Sequence, residues 1–440
     1  MKRSRAFFAA ALVTAAIAAW GCSGGSKAKG GKVLNIYVWN EEFQERFNKY
    51  YAPKLPADIK VNWVITPNLD NAYQNRLDED LYRQESLPAD ERIDIFLVEA
   101  DYALKYVDTD FTLDIRKDIG LSDEDISEQY KYTKDIMTDS GGNIKGASWQ
   151  ACPGGFAYRR SIAKDVLGTD DPDAVGEALN SWDKFDDVAR KAKEKGYFML
   201  SGYDDSFRVF SDNIKEPWVV DGKIRVDPAI NRWIEQTKTY TEKGYNNKAS
   251  LWSQESSEGM GAKGKVFGYF APAWFIDFVM TPASLDSQSG ARELGNGSYG
   301  DWAFCKGPQS FSWGGTWICG AAGSDNIDLI KDILYTLTCD RDVMINIAKE
   351  FGDFTNNVEA MAEIAYSDYK NPFLGGQNHI KFFLDAARSI DKSQMTEYDQ
   401  GMTEKVQAAM KDYYNGTVTL DKAWDNFYMS IKELYPKLSR

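Results

Sequence analysis

The residues that most directly suggest chemistry in this chain are its carboxylates and its tryptophans. The sequence contains 66 Asp and Glu residues, 13 Trp and 24 Tyr. Several Trp stand beside Gly or carboxylates where strands are predicted to end, as in Trp39-Asn40-Glu41 and Trp313-Gly314. Aromatic faces pack against C–H groups, while Asp, Glu and Asn accept hydrogen bonds from hydroxyls. These positions therefore predict a site for a small molecule rich in hydroxyl groups.

A glycine-rich segment resembles a nucleotide-binding motif but lacks the required context. Gly259-Met-Gly-Ala-Lys-Gly264 has the spacing of a dinucleotide fingerprint, and Lys265 brings it near a P-loop. Both motifs need a strand before and a helix after, because phosphate binds the free amides of a helix N-terminus. Here a polar stretch precedes the glycines and a strand-like run beginning near Val266 follows. The segment is therefore interpreted as a turn leading into a strand.

Catalysis finds little other support in the sequence. The single histidine, His379, stands at a predicted helix start and is interpreted as a surface or capping residue. A catalytic triad would depend wholly on this one histidine. A transition-metal site would need several His or Cys ligands, and no Cys-x-x-Cys pair is present. Neither a metal nor a cofactor is therefore expected. A glycoside hydrolase needs only two opposed carboxylates. With so many acidic residues that alternative stays open, although no enzyme is expected.

The N-terminus has the pattern of an export signal. Basic residues at positions 2–5 precede an apolar stretch from Ala6 to Ala19, and Trp20-Gly21-Cys22 follows. The apolar stretch is too short for a stable membrane span. Residues 1–21 are therefore predicted to be a signal peptide, with Cys22 as the lipidated first residue of the mature chain. Residues 22–32 are predicted to be a flexible tether.

Composition narrows the possible partners. The net charge is −14 and the sequence pI about 4.8, which excludes nucleic acid as an expected partner. The chain after the signal is longer than one compact core usually holds, so two lobes are expected. Four cysteines follow Cys22, and Cys305 and Cys319 flank a Gly307-Pro308 turn between two strand-like runs. They could face each other across a hairpin as a disulfide, or remain free thiols.

Strands and helices alternate through much of the chain. Strand-like runs are predicted at 33–39, 59–65, 93–98, 197–200, 265–270 and 316–320, with amphipathic helices between them. Ser181 is expected to cap a helix, and the last quarter of the chain is predicted to be helical. This alternation indicates an α/β fold with a mostly parallel, helix-covered sheet. The absence of a linker after Lys32 suggests that the chain crosses between its lobes more than once.

The order of the segments resembles that of the extracellular solute-binding proteins of bacterial ABC importers, of the carbohydrate type to which maltose-binding protein belongs. The resemblance covers essentially the whole mature chain. It is carried by seven segments in family order: Trp39 to Glu41, the strand from Asp94 that leads to Tyr102, Gly155 to Arg160, Ser181 to Phe185, Gly268 to Trp274, Trp313 to Thr316, and Phe351 to Asn357.

The resemblance implies a two-lobe fold of the periplasmic-binding-protein type, with a hinge of crossing strands and a ligand cleft between the lobes. Residues 33–147 with 317–358 would form the first lobe, and residues 150–314 with 360–440 the second. The protein would be a monomer, held outside the cell membrane by its lipid, that closes on a mono- or oligosaccharide and delivers it to a membrane permease. A polyamine, a peptide or a glycerophosphodiester remains an alternative ligand.

Site residues are carried over from the family position by position. Asn40 and Glu41 match polar contacts after the first strand, Asp101 matches a carboxylate that binds sugar hydroxyls, and Trp274 matches the stacking tryptophan. The stretch from Tyr203 to Asp205 matches a polar and aromatic patch of the second lobe. Further ligand contacts are expected at Trp39, Tyr102, Trp149, Trp313 and Gly314.

Overall fold

The computed structural model describes residues 31–440. The predicted signal peptide, Cys22 and nearly all of the predicted tether lie outside the described residues. The strands are β1 (Val33–Val38), β2 (Lys60–Ile65), β3 (Ile95–Glu99), β4 (Ala147–Ser148), β5 (Gly154–Arg159), β6 (Leu200–Gly202), β7 (Val219–Val220), β8 (Lys223–Ile224), β9 (Asn246–Ala249), β10 (Gly268–Pro272), β11 (Trp302–Cys305) and β12 (Thr316–Gly320).

Helices cover these strands and make up the C-terminal part. They are α1 (Glu42–Tyr50), α2 (Ala72–Arg83), α3 (Leu104–Val107), α4 (Lys131–Ile136), α5 (Arg160–Leu167), α6 (Pro172–Ala178), α7 (Trp182–Glu194), α8 (Phe207–Ser211), α9 (Pro228–Lys243), α10 (Gln254–Glu258), α11 (Thr281–Ser284), α12 (Ile327–Leu334), α13 (Arg341–Phe351), α14 (Val358–Ala365), α15 (His379–Ala387), α16 (Asp399–Tyr414) and α17 (Leu420–Leu434).

The larger sheet contains five strands in the order β2-β1-β3-β12-β4. Strands β2, β1 and β3 run parallel, with Val33 opposite Lys60 and Ile36 opposite Ile95. Strand β12 runs antiparallel to β3, and Thr316 lies opposite Glu99. Leu34, Ile36 and Val38 of β1 and the apolar side chains of β3 are almost completely buried, as expected for strands in the interior of a helix-covered sheet. The predicted parallel sheet is therefore correct for its first three strands.

The second sheet differs from that prediction. It contains β10-β5-β11, and β5 pairs antiparallel with both neighbours. Hydrophobic runs can mark buried strands, but they do not reveal strand direction, because direction depends on how the connecting segments route the chain. Two smaller pairs complete the strands: β6 with β9, which is parallel, and β7 with β8, which is antiparallel.

The chain passes between the two main sheets more than once, as expected. One crossing connects β4 to β5, and a second leads from β11 back to β12. Gln150 in the first crossing pairs with Thr355, and Pro153 pairs with Ser312 in the second. Two of the predicted lobe boundaries, 147–150 and 314–317, lie at these segments, and the third, at 358–360, lies at the start of α14. Their bounds stay a prediction.

Helix ends follow the expected side-chain chemistry. The Ser181 hydroxyl accepts a hydrogen bond from the backbone N–H of Lys184 at 3.3 Å, which caps α7 as predicted. Asp227 and Asp340 cap α9 and α13 in the same way. The predicted helical character of the last quarter is confirmed by α12 to α17. Within residues 31–440, none of the helices combines the length and the apolar character needed to span a bilayer.

The predicted hairpin between Cys305 and Cys319 is wrong. Cys305 ends β11 in the three-stranded sheet, whereas Cys319 lies in β12 of the five-stranded sheet. The chain after the Gly307-Pro308 turn crosses to the other sheet instead of folding back, so these two strands never pair. All four cysteines of the described residues are free thiols, and burial raises the pKa of both Cys305 and Cys319.

Candidate functional site

A cleft lies where strands of both main sheets end. It has a volume of about 950 Å³. Trp39 enters it directly after β1, Asp101 lies two residues after β3, and Trp274 lies two residues after β10. Trp313 and Gly314 reach it from the crossing segment that precedes β12. Ligand sites of α/β folds favour this location, because loops at strand ends are free to carry function while the strands hold them in place.

An aromatic wall is built around Trp313. The Trp274 ring lies edge-on to Trp313 with centroids 5.2 Å apart, and its Nε1 donates to the Trp313 carbonyl oxygen at 2.9 Å. The ring centroid of Trp252 lies 6.0 Å from that of Trp313, and Trp252 is 64% exposed. Gly314 has a φ of +80°, and a Cβ there would lie 3.0 Å from Nε1 of Trp274. Glycine therefore allows the crossing segment to approach the tryptophan closely.

An ion pair crosses the cleft. Both guanidinium Nη atoms of Arg208, on α8, donate to the Asp101 carboxylate after β3, one of them at 2.6 Å and the other at shorter range. Arg208 also lies over the Trp313 ring, 5.9 Å from its centroid. Burial alone would raise the pKa of Asp101, but the charge and hydrogen bonds of Arg208 more than offset it, so the net direction is down.

Glu99 is less well compensated than Asp101. Its Oε2 accepts a hydrogen bond from the Asp101 backbone N–H at 2.7 Å. Burial, together with the negative charge of Asp101, raises the pKa of Glu99 to about 8, although Arg208 acts in the opposite direction. A carboxyl group in this state is partly protonated at neutral pH. It can therefore donate or accept a hydrogen bond within the cleft.

Glu42, at the start of α1, lines the same cleft as Trp39. The Gln150 amide donates to Glu42 at 2.9 Å and to Asp353 at 3.1 Å, and Arg46 lies 3.3 Å from Glu42. Burial raises the pKa of Glu42 and of Asp353, and the charge of Arg46 opposes the rise in both. The amide and the guanidinium thus hold this edge of the cleft in a fixed arrangement.

Asp205 is buried beside the cleft, 6% exposed. Its Oδ2 accepts hydrogen bonds from the backbone N–H groups of Ser201 at 2.6 Å and Gly202 at 3.0 Å, and its Oδ1 has no hydrogen-bond partner. Burial raises the pKa of Asp205 to about 7, with the nearby Asp204 adding to the effect. The loop after β6 is therefore organised by one oxygen of this carboxylate, and the other oxygen is unsatisfied.

The structure brings most of the predicted site residues together. Those that line the cleft are Trp39, Asn40, Asp101, Asp205, Trp274, Trp313 and Gly314. Glu41 lines an adjoining cavity of about 420 Å³ that shares Trp39 and Trp274 with the cleft. Asp101, which is predicted to bind sugar hydroxyls, accepts hydrogen bonds from Arg208 in this structure.

Three predicted contacts lie away from the cleft. Trp149 is 1% exposed and stacks on Phe43 with ring centroids 5.6 Å apart. The Tyr203 hydroxyl donates to the Asn415 side chain, and Tyr102 is buried against Trp39. These rings contribute to the core, because the area buried by an aromatic side chain is one of the largest single gains in packing.

Sequence reasoning missed several lining residues. They are Glu42, Glu99, Phe207, Arg208, Trp252 and Phe278. Glu42 and Glu99 stand next to predicted strand ends, so their position was a usable signal. Arg208 carried none, because its role depends on Asp101, which is distant in sequence. Trp252 and Phe278 are exposed apolar side chains in polar or helical surroundings, and only the fold shows that they face a cavity.

Neither enzyme-like motif contributes to the cleft. The Gly259 to Gly264 segment turns out of α10 and leads through Val266, which pairs with Phe198, into β10, as interpreted. His379 begins α15 as expected but is fully buried, so the surface interpretation was wrong. Its Nε2 lies 2.7 Å from the Gly352 carbonyl oxygen, and burial lowers its pKa to about 4. The described part of the chain holds no cluster of His, Cys, Asp and Glu suited to a metal ion.

Solved structures establish the class of the fold. An extracellular solute-binding protein of family 1 superposes with a TM-score of 0.73 at 17% identity, covering 92% of this chain and 99% of that one. The ABC transporter binding protein of B. animalis subsp. lactis Bl-04, in complex with β-1,6-galactobiose, superposes with a TM-score of 0.68 at 16% identity. That match covers 92% of this chain and 97% of that one. The galacto-N-biose- and lacto-N-biose-binding protein of the ABC transporter from Bifidobacterium longum, in complex with lacto-N-biose, superposes with a TM-score of 0.68 at 15% identity. That match covers 93% of this chain and 100% of that one. The fold is thus that of the two-lobe solute-binding proteins.

The family follows from the sequence match. Residues 43–373, which make up most of the chain, match the family of bacterial extracellular solute-binding proteins. The chain belongs to this family, and its members are exported proteins that bind solutes. No curated protein matches the chain in sequence.

Proposed function

We propose that this protein is the extracytoplasmic binding component of an ABC importer and that its solute is a mono- or oligosaccharide. The observation that carries the proposal is the cleft itself. Its volume of about 950 Å³ is within the range of small-molecule sites, and both tryptophans and carboxylates line its walls. Sugars present apolar C–H faces and hydroxyl groups to such walls. The sugars bound by two of the similar solved structures support the same class of ligand.

The proposed mechanism is closure of one lobe on the other. We take residues 33–147 with 317–358 as one lobe and residues 150–314 with 360–440 as the other. A solute that contacts Trp39 and Trp274 together binds well only when the lobes are closed. It therefore shifts the population to the closed form by the difference between its affinities for the two forms. The closed protein then delivers the solute to a membrane permease.

The test of the carbohydrate assignment is a thermal-shift screen of the wild-type protein across a carbohydrate panel, followed by calorimetry. Trp274→Ala should weaken binding of the sugar found by about 2 kcal/mol, or roughly thirtyfold, because the stacking face is lost. Trp424→Ala, which changes a partly buried tryptophan on α17, is the matched control and should bind normally. Unchanged affinity in Trp274→Ala would remove this residue from the site.

Catalysis is not part of the proposal. The panel sugars should stabilise the protein and remain intact, since a binding protein gains stability from its ligand without consuming it. Chromatography of the incubated sugars checks this. Formation of hydrolysis products would instead identify a glycoside hydrolase.

Export and anchoring complete the proposal. Residues 1–21 would be removed as a signal peptide, and lipid on Cys22 would keep the protein near its permease. Stable anchoring by lipid needs more than one chain. Cys22→Ser should move the protein from the membrane fraction to the soluble fraction on immunoblots. Retention of Cys22→Ser in the membrane fraction would refute the anchor.

A further inference from the structure

The walls of the cleft carry more acidic than basic side chains. Among its lining residues, Arg208 is the only cationic side chain, and the carboxylates are Glu42, Glu99, Asp101, Asp204 and Asp205. Carboxylates that bind a neutral sugar are needed only as hydrogen-bond acceptors. Uncharged amide groups do this at lower electrostatic cost, since several buried negative charges repel each other. The number of carboxylates therefore calls for a compensating positive charge.

Among residues 31–440, two of these five carboxylates have a cation within salt-bridge distance, whereas Glu99, Asp204 and Asp205 do not. Arg208 pairs with Asp101, and Arg46 pairs with Glu42. Within residues 31–440, no Lys or Arg nitrogen lies within 4.0 Å of a carboxylate oxygen of Glu99 or Asp205. Asp205 is 94% buried, and its Oδ1 has no hydrogen-bond partner. Burial of an unpaired carboxylate is costly unless a ligand supplies the missing partner.

The aromatic wall already accommodates one cation. The guanidinium of Arg208 lies 5.9 Å from the centroid of the Trp313 ring while it pairs with Asp101. Tryptophan attracts cations more strongly than other aromatic residues do, because of the negative face of its ring. Trp39, Trp252 and Trp274 also line the cleft, and none of them has a cation of the described residues over its ring. These three rings line the cleft together with Glu99 and Asp205, and no Lys or Arg of residues 31–440 lies over them.

We infer that the captured solute carries a protonated amine, bound by Glu99 and Asp205 and flanked by the tryptophan rings. Because this inference rests on the proposed carbohydrate function, the ligand class becomes amino sugars. The same amine chemistry also occurs in linear polyamines, which lack the ring faces and hydroxyls of a sugar. The raised pKa values of Glu99 and Asp205 agree with this, because burial raises both and neither carboxylate has an ion-pair partner within 4.0 Å among residues 31–440.

The test compares three disaccharides with the same β-1,4 linkage by calorimetry: the glucosamine dimer, its N-acetylated form and cellobiose. Galactosamine and mannosamine with their neutral counterparts, putrescine and spermidine extend the set. An amino sugar should bind at least tenfold more tightly than its neutral counterparts, and its affinity should fall as salt is raised. Glu99→Gln should reduce that preference at least tenfold. Glu79→Gln, which removes a charge from the exposed face of α2, is the control and should leave it unchanged.

Each outcome decides between the inference and the function on which it rests. If neutral sugars bind as tightly as their amino forms, the inference is overturned and the carbohydrate function stands. If putrescine or spermidine binds and no sugar does, the amine assignment stands and the carbohydrate function is overturned. If no amine binds, the inference fails. Glu99→Gln must unfold cooperatively, as the wild type does, to show that it is folded. The salt dependence of the wild type provides a reading that needs no variant.

Discussion

The ion pair between Asp101 and Arg208 allows one prediction to be worked out in detail. It joins the end of β3 to α8, elements that we assign to different lobes, so it exists only when the lobes are close together. The Arg208 side chain is 23% exposed and the Asp101 side chain 30% exposed. The pair is therefore more shielded than a surface salt bridge, whose value is about 0–1 kcal/mol.

The magnitude follows from this geometry. Hydrogen bonds to charged groups contribute about 1.5–3 kcal/mol, and partial exposure reduces that value through solvent screening. An estimate of about 1.4 kcal/mol corresponds to a tenfold change in an equilibrium constant. Arg208→Ala should therefore shift the ratio of closed to open forms about tenfold toward open in the ligand-free protein.

Small-angle X-ray scattering of the ligand-free protein measures this shift as a larger radius of gyration. Arg292→Ala is the matched control, because Arg292 pairs with Asp277 inside one assigned lobe. The exchange variant Asp101→Arg with Arg208→Asp should restore the compact form. An unchanged radius of gyration in Arg208→Ala, or an equal increase in Arg292→Ala, would refute the reasoning.

Three further predictions concern stability and site geometry. Because the pKa of Glu99 is raised to about 8, the folded state loses stability as pH rises from about 4.5 to 8, and Glu99→Gln should flatten that part of the melting profile. Without reductant, denatured mature protein should show Cys305 and Cys319 as thiols in an Ellman assay; titration of neither would indicate a disulfide. Gly314→Ala should weaken sugar binding in calorimetry at least threefold, because its Cβ would press on Trp274; normal affinity would contradict this.

The sequence was informative wherever function depends on local order along the chain. Strands β1, β2 and β12 lie where apolar runs predicted them, and α7 begins after Ser181 as its capping chemistry requires. Trp39 was noted at a predicted strand end, and the family resemblance pointed to Asp101 and Trp274. All three follow strands, and the carboxyl ends of strands gather loops at one edge. The cleft contains all three.

The sequence was less informative about aromatic residues, because the residue type alone does not show whether a ring lies in the core or in the ligand site. Trp149 and Trp274 have the same side chain, yet Trp149 stacks on Phe43 in the core and Trp274 lines the cleft. Burial depends on which surfaces meet after folding. His379 illustrates the same limit, since a polar residue at a helix start became fully buried once α15 packed beside the loop that contains Gly352.

The sequence by itself determined most of the strands and helices and the residues that follow the strand ends, and it predicted the export signal. These features depend on periodicity and composition within short stretches. Only the tertiary structure decided that Cys305 and Cys319 lie in different sheets and that Arg208 pairs with Asp101. Both facts depend on where the chain crosses between the sheets. Such crossings bring residues together over long separations, and hydrophobic periodicity holds no information about them.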